Sequence, residues 1–325
     1  MCASFLLTYR VRLTPSILTP PNRMACVAFD LDKTLGFFEV VNTLAPLWSV
    51  EFISNSEQVR GNTPIKISYP LQHMLERAQQ EFADYLLEDP ATLSTVLRSD
   101  LDAMILPLIE AKRARKLKTV IIYSNTGVTY STHLAKYLIE KKYGAPGLFS
   151  LLADHWHPLR KHDMVDQRDR GPYVEPYKTM ETLQRLFKKA THTKKATPFR
   201  NILFVDDRLP KHRLEEAEPE GLTYLVPKRY EPKVTLQDKQ YIRFLAFKAM
   251  SESGLLGHHA YLSSPFCNRD IVYDYTKRHP IHSFQELISY VSANMADVQC
   301  STTKWTPDTA PITSTIRTFL HQVKA

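Results

Sequence analysis

Two carboxylates stand two residues apart near the start of the chain, directly after a short apolar run. The run covers residues 25–29, the carboxylates are Asp30 and Asp32, and Thr34 follows two positions later. A short apolar run of this kind predicts a buried strand. Alternate residues of a strand point to the same side, so both carboxylates are expected to face one small space just beyond the strand. Two acids at such a distance repel each other unless a cation or a shared proton lies between them. The spacing therefore indicates a functional site.

Two later apolar runs also end in polar side chains. One is followed by Ser124 and Asn125, and the other by a second pair of acids, Asp206 and Asp207. In parallel α/β sheets, ligands bind beyond the carboxyl ends of the strands. The sequence thus predicts that all of these polar groups meet at one edge of a sheet.

Strand-like runs alternate with helical patterns over residues 25–230, which predicts an α/β fold with a mainly parallel sheet. Five runs are expected to form strands: 25–29, 119–123, 148–152, 201–205 and 222–226. Apolar residues at helical spacing predict helices over 71–87, 93–116, 130–143, 178–189, 236–250 and 283–295. The second of these helices is expected to be interrupted or bent near Pro107. Residues 37–53 are expected to form a loop or hairpin over the end of the first strand, and Ser301–Ser314 a loop or disordered segment.

Three regions are predicted along the chain. Residues 1–23 are interpreted as a flexible leader, residues 24–230 as a catalytic domain with an insertion at about 37–95, and residues 231–325 as a C-terminal extension. This extension is expected to be partly helical, with a partly disordered tail. The leader lacks acidic residues and contains three arginines, which is also compatible with an organelle transit peptide, but its prolines favour a flexible leader.

Composition excludes several classes of protein. The formal net charge is +8, which favours anionic partners. The four cysteines form no C-x-x-C pair, which argues against a zinc ribbon or a disulfide framework and favours a reducing, intracellular compartment, either cytoplasmic or nuclear. No apolar run reaches the length of a membrane span, so no membrane partner is expected. The sequence also has no G-x-x-x-x-G-K motif and no C-x5-R motif, which argues against P-loop enzymes and cysteine phosphatases.

Four groups of residues follow one another in the order found in the haloacid dehalogenase (HAD) superfamily, which this chain resembles over residues 24–230. The groups are Asp30-x-Asp32-x-Thr34, Ser124 after a strand, Lys178 at the opening of a helix, and Asp206-Asp207. Most members of the superfamily are Mg²⁺-dependent phosphatases with a Rossmann-like sheet and an aspartate nucleophile. Residues 30–35 and 205–208 look closest to the small-CTD-phosphatase-like branch, which dephosphorylates proteins. That branch usually carries an acid at the position of Lys33.

The resemblance implies a role for each matched residue. Asp30 would be the nucleophile, and Asp32 would protonate the leaving group and then activate water. Mg²⁺ would be held by Asp30, the backbone carbonyl of Asp32 and Asp207, with Asp206 as a further ligand or as a partner of a ligand. Four residues would bind the substrate phosphate: Thr34, Ser124, Asn125 and Lys178.

The predicted function is that of a Mg²⁺-dependent phosphomonoester hydrolase acting on a phosphoprotein or another macromolecular phosphate. The alternatives are a nucleic-acid end-processing phosphatase of the same fold, favoured by the net charge, and a non-catalytic scaffold whose residues 231–325 recruit partners. The predicted helical cap after the first strand either closes over a small metabolite or leaves the site open to a macromolecule. A zinc site at His155, His157, His162 and Asp163 is a further possibility, although histidines in a loop are more often solvated.

Overall fold

Five parallel strands form the centre of the computed structural model, which describes residues 24–42, 44, 69–160, 178–208, 220–254 and 309–323. The strands are β1 (Ala25–Phe29), β2 (Leu117–Tyr123), β3 (Phe149–Ala153), β4 (Ile202–Val205) and β5 (Thr223–Leu225). Their order across the sheet is β3-β2-β1-β4-β5, and every neighbouring pair is parallel. The prediction of an α/β fold with a parallel sheet is confirmed.

Eight α-helices occur in the described part of the chain. They are α1 (Glu39–Asn42), α2 (Tyr69–Glu88), α3 (Pro90–Val96), α4 (Asp102–Arg113), α5 (Thr129–Lys142), α6 (Met180–Ala190), α7 (Leu236–Glu252) and α8 (Thr309–Gln322). None of the described helices is both long enough and apolar enough to cross a membrane. The predicted helix over 283–295 and the leader lie outside the described residues.

The central strand β1 is buried on both faces, which is usual for parallel sheets. Val27 and Phe29 belong to a large apolar core that also contains residues of α4, α5, α7 and α8. Cys26 and Ala28 belong to a second core, to which α6 contributes. Because both faces are covered, the polar residues that follow the strands are confined to the edge of the sheet.

The predicted helix over 93–116 is two helices, and its predicted interruption at Pro107 is wrong. The break lies between α3 and α4, where Leu97 is extended and forms a β-bridge with Gly36. Pro107 lies inside α4. A proline cannot donate to the carbonyl four residues earlier, here that of Ala103. The hydroxyl of Thr313 donates a hydrogen bond to this carbonyl at 3.3 Å, so α8 supplies the donor that the proline lacks.

Two predicted loops are also corrected. Residues 309–314 belong to α8, so the prediction of a loop or disorder is wrong for this part of Ser301–Ser314. Ile312, Ile316 and Phe319 are buried, and α8 packs against α4. Within 37–53, residues 39–42 form α1 in place of the predicted loop or hairpin.

Candidate active site

Three acids from two neighbouring strands meet at the carboxyl edge of the sheet. Asp30 follows β1, and Asp206 and Asp207 follow β4, which lies beside β1. The amide of Asp30 donates to the carbonyl of Val205 at 2.8 Å, which fixes the two strand ends side by side. Carboxylate oxygens of the three acids lie within 4.8 Å of one another, and all three side chains are buried. This group could hold a metal ion.

Lys178 provides a buried positive charge within this cluster. Its Nζ lies 2.5 Å from Oδ1 of Asp30 and 2.7 Å from Oδ2 of Asp206, and the side chain is fully buried. Burial of a charge is tolerated only when it is paired. The ammonium also lies 5.8 Å from the ring centre of Tyr123 and 5.4 Å from that of Phe204. Lys178 therefore bridges the two strand ends by joining an acid from each.

The start of α6 holds Lys178 in place. The predicted helix over 178–189 begins at Met180, so Lys178 precedes its N-cap, Thr179. The Thr179 side chain accepts a hydrogen bond from the amide of Thr182 at 3.1 Å, as is usual for an N-cap. The Thr179 amide donates to the hydroxyl of Tyr123 at 3.0 Å, which ties this helix start to the end of β2.

Thr34 contacts Asp207 and does not line the pocket that Asp30 and Asp32 border. Its Oγ1 accepts a hydrogen bond from the Asp207 amide at 2.9 Å and lies 3.3 Å from Oδ1 of Asp207. The side chain is fully buried, so in this structure it orients an acid, and its predicted contact with substrate phosphate stays a prediction. The turn after β1 is closely packed, because a Cβ on Gly36 would lie 2.1 Å from the carbonyl oxygen of Val96.

Asp32 faces the same pocket as Asp30. Its Oδ1 is buried and has no hydrogen-bond partner among the described residues. Burial, together with the charge of Asp30, raises the pKa of Asp32 to about 7. A carboxyl group with this pKa can both give and take a proton near neutral pH.

The loop after β2 is held by Arg160, which the sequence analysis did not identify. This arginine is 1% exposed, and its Nη1 donates to the carbonyl of Ser124. Its Nη2 donates to Oδ1 of Asn125 at 2.6 Å, and its guanidinium lies 4.8 Å from the ring centre of Tyr123. Ser124 and Asn125 are thus fixed at the pocket by a residue 35 positions beyond Asn125 that no local motif marks. Their predicted contact with substrate phosphate stays a prediction.

Arg229 is a second site residue that sequence reasoning missed. Its Nε donates to Oδ2 of Asp207 at 2.8 Å, and its side chain is 45% exposed. Glu231 lies 3.8 Å from Arg229 and also accepts a hydrogen bond from Lys33 at 2.8 Å. Arg229 follows β5 without any recognisable motif, and only the folded chain brings it to Asp207.

Several of these residues line a pocket of about 250 Å³. Asp30, Asp32 and Asp207 line it together with Ser124 and Asn125, and the cations that line it are Lys33, Arg208 and Arg229. Lys178 is fully buried and does not line it. The pocket therefore combines acids with cations and neutral hydrogen-bonding groups.

The alternative zinc site at His155, His157, His162 and Asp163 is not found among the described residues. Nδ1 of His157 accepts a hydrogen bond from the amide of Leu159 at 3.3 Å, and Lys189 lies beside its other ring nitrogen. The three acids at the sheet edge are the one group of at least three possible ligands found within residues 24–42, 44, 69–160, 178–208, 220–254 and 309–323. His162 and Asp163 lie outside these ranges.

No protein-family model matches this chain, and a search of the curated proteins finds no match. The geometry of the site is therefore the basis for the function inferred below.

Proposed function

We propose that the protein is a HAD-type phosphomonoester hydrolase that forms a phosphoryl-enzyme on Asp30. The observation that carries this proposal is the position of Asp30. Its carboxylate lines an open polar pocket, is paired with a buried lysine and lies beside two further acids. Asp32, a second ionisable carboxyl, lines the same pocket.

The donor set fits the predicted Mg²⁺. Among the described residues, Lys178 pairs with Asp30 and Asp206, and Arg229 pairs with Asp207. A divalent cation would add to this neutralisation of three neighbouring carboxylates. Carboxylate oxygens are the ligands that Mg²⁺ prefers. Asp30, Asp206, Asp207 and the backbone carbonyl of Asp32 would hold the ion. When bound, it would neutralise charge on the phosphoryl oxygens.

Each side chain has its own role in the reaction. A carboxylate oxygen of Asp30 attacks phosphorus, and the bond between phosphorus and the leaving oxygen breaks. Asp32 gives its proton to that oxygen and then takes a proton from the water that hydrolyses the acyl phosphate. Ser124 and Asn125 hold the phosphate oxygens, and Lys178 keeps Asp30 oriented.

The first test measures phosphate release from p-nitrophenyl phosphate with and without Mg²⁺. Asp30→Asn is expected to abolish turnover, and Asp32→Asn to reduce it by roughly 10²–10⁴-fold, the usual contribution of general acid–base catalysis. Asp102→Asn is the matched control, because Asp102 is an exposed acid that accepts a hydrogen bond from Tyr143 away from the pocket. Circular dichroism checks that each variant is folded.

A labelled acyl phosphate on Asp30, trapped by acid quench, would support the proposed intermediate directly. Wild-type turnover in Asp30→Asn would refute the assignment. A wild-type protein that hydrolyses no phosphomonoester would instead favour the non-catalytic scaffold. The nucleic-acid alternative is separated by comparing a phosphopeptide with an oligonucleotide that carries a 3′-phosphate.

A further inference from the structure

A groove runs along the junction of α2 and α5 on the outside of the core. Two adjoining cavities of about 340 and 480 Å³ lie along it. They share four lining residues, Glu76 and Gln79 from α2 and Tyr130 and His133 from α5, so they form one continuous groove. We call it the α2/α5 groove.

The α2/α5 groove opens into the candidate active site. Gly127 and Val128 line both the groove and the pocket that contains Asp30. Only Thr126 separates them from Ser124 and Asn125, which are proposed to hold phosphate. A chain attached to a bound phosphoryl group would therefore enter the groove past Gly127 and Val128.

An exposed aromatic side chain stands at this junction. Trp156 is 64% exposed, and its indole N–H donates to the carbonyl of Gly127 at 2.8 Å. Its ring also makes an edge contact with His155, with the ring centres 4.6 Å apart. A fixed, solvent-facing tryptophan offers a large contact area at low entropic cost, and tryptophan is enriched among residues that dominate binding energy.

The charges of the groove disfavour a nucleic acid. Its described lining residues include two acids, Glu76 and Glu140, and a single lysine, Lys136. Both carboxylate oxygens of Glu140 accept hydrogen bonds from backbone amides, those of Gly147 and Phe149, at 2.9 Å. Amide side chains and tyrosines fill much of the remainder. Nucleic-acid binding depends on clustered cations that neutralise phosphates, and this surface lacks such a cluster among its described lining residues. Amides and tyrosines instead suit the backbone and side chains of a polypeptide.

The groove matches a short extended segment in length. Tyr130 and Glu140 lie ten residues apart on α5, which corresponds to roughly 15 Å at 1.5 Å per residue. An extended chain advances about 3.3 Å per residue, so about four or five residues fit along it.

We propose that the α2/α5 groove binds the polypeptide chain of a phosphoprotein substrate on one side of its phosphorylated residue, with a neutral or basic side chain opposite Glu76. This inference rests on the proposed phosphatase activity and names the surface that receives the substrate chain beside the pocket. It assigns Trp156 as the contact at the entrance and Glu76 as a determinant of charge preference.

The test compares phosphoserine peptides of equal length, flanked on both sides by either basic or acidic residues. The wild-type protein is expected to prefer the basic peptide by a fewfold in kcat/KM, the size of effect that exposed charge pairs produce. Glu76→Lys is expected to reverse this preference. Trp156→Ala is expected to lower kcat/KM for both peptides about tenfold.

Glu88→Lys is the matched control, because Glu88 is exposed on the same helix and does not line the groove. It is expected to keep the wild-type preference. Peptide binding to Asp30→Asn, measured by fluorescence anisotropy, provides a readout that does not depend on turnover.

The possible results distinguish a failure of the groove assignment from a failure of the catalytic proposal. If p-nitrophenyl phosphate is hydrolysed but Glu76→Lys and Trp156→Ala leave peptide kinetics unchanged, the groove assignment is overturned and the catalytic proposal stands. If a 3′-phosphate oligonucleotide is a better substrate than either peptide, the polypeptide assignment is overturned. If peptides bind through Trp156 and Glu76 but no phosphomonoester is hydrolysed, the groove stands and the catalytic proposal fails.

Discussion

Replacement of Lys178 by methionine tests how much this buried charge stabilises the folded protein, and the test needs no substrate. Methionine has nearly the same length and removes the charge together with the hydrogen bonds that the ammonium donates to Asp30 and Asp206. The variant would leave the carboxylates of Asp30 and Asp206 buried, at 2% and 0% exposure, without the ammonium that lies within 2.7 Å of both. Removing one partner of a buried ion pair typically costs about 3–5 kcal/mol, because the remaining charge is left without compensation. We expect a loss of this size in the free energy of unfolding at neutral pH.

Urea denaturation in EDTA measures this loss, because added metal would otherwise mask it. Lys141→Met is the matched control, since Lys141 pairs with Asp84 but is 49% exposed. Exposed pairs contribute little, so this control is expected to lose less than about 1 kcal/mol. The double variant Lys178→Met/Asp206→Asn should regain part of the loss, because one of the repelling acids has become neutral.

Added Mg²⁺ gives a second readout on the same variant. An ion that binds only the folded state at about 100 times its Kd stabilises by about 2.7 kcal/mol, so Mg²⁺ should recover a substantial part of the lost stability. A loss below about 1 kcal/mol in Lys178→Met, equal to that of Lys141→Met, would refute the view that Lys178 is the counter-charge of the cluster.

Two further predictions concern the loops around the site. Arg160→Lys keeps the charge but loses the two-point contact with Ser124 and Asn125. We therefore expect KM for p-nitrophenyl phosphate to rise about tenfold, with a smaller change in kcat. The control Arg185→Lys on α6 should behave as wild type. An unchanged KM would show that Arg160 does not position this loop. Gly36→Ala places a Cβ 2.1 Å from a backbone carbonyl oxygen and 2.9 Å from the ring of Phe38. We therefore expect the free energy of unfolding, measured by urea denaturation, to fall by about 1–3 kcal/mol. An unchanged free energy of unfolding would show that the turn can relax.

The parts of the site that could be predicted are those whose signal is local in the sequence. Asp30, Ser124 and Asp207 each follow a strand, and a parallel sheet necessarily brings the ends of its strands to one edge. Lys178 was predicted to open the helix over 178–189; the helix begins at Met180, and Lys178 lies two residues before it. In each case the position follows from the period of the apolar pattern and the point where that pattern stops.

Residues that act through tertiary contacts could not be predicted in this way. Arg160 and Arg229 lie 35 and 22 positions from the groups they contact, and an arginine in a loop has no pattern that distinguishes a buried partner from a solvated charge. The break between α3 and α4 has a similar cause. Helical pattern continues through Leu97, but the chain is extended there because it pairs with Gly36.

The helix α8 was not predicted, although its apolar residues recur at helical spacing. Its Ser, Thr and Pro content is typical of loops and favoured disorder. Ile312, Ile316 and Phe319 nevertheless recur at spacings of four and three residues, and this stripe is buried in the core. Composition favoured a loop and the apolar spacing favoured a helix. The segment is a helix whose apolar side packs against α4.

The most constrained acid of the site is Asp207, and the reason lies in one buried arginine. Arg98 donates to the carbonyl of Thr34 at 2.8 Å and to that of Lys228 at 3.3 Å, so it ties the turn after β1 to the segment after β5. Each of these two segments places a group on the same carboxylate, the hydroxyl of Thr34 on one oxygen and the guanidinium of Arg229 on the other. Because Arg98 is fully buried, neither segment can shift without disturbing the other. The orientation of Asp207 is therefore set by residues of three separate segments of the chain, which hold this carboxylate ready for a ligand.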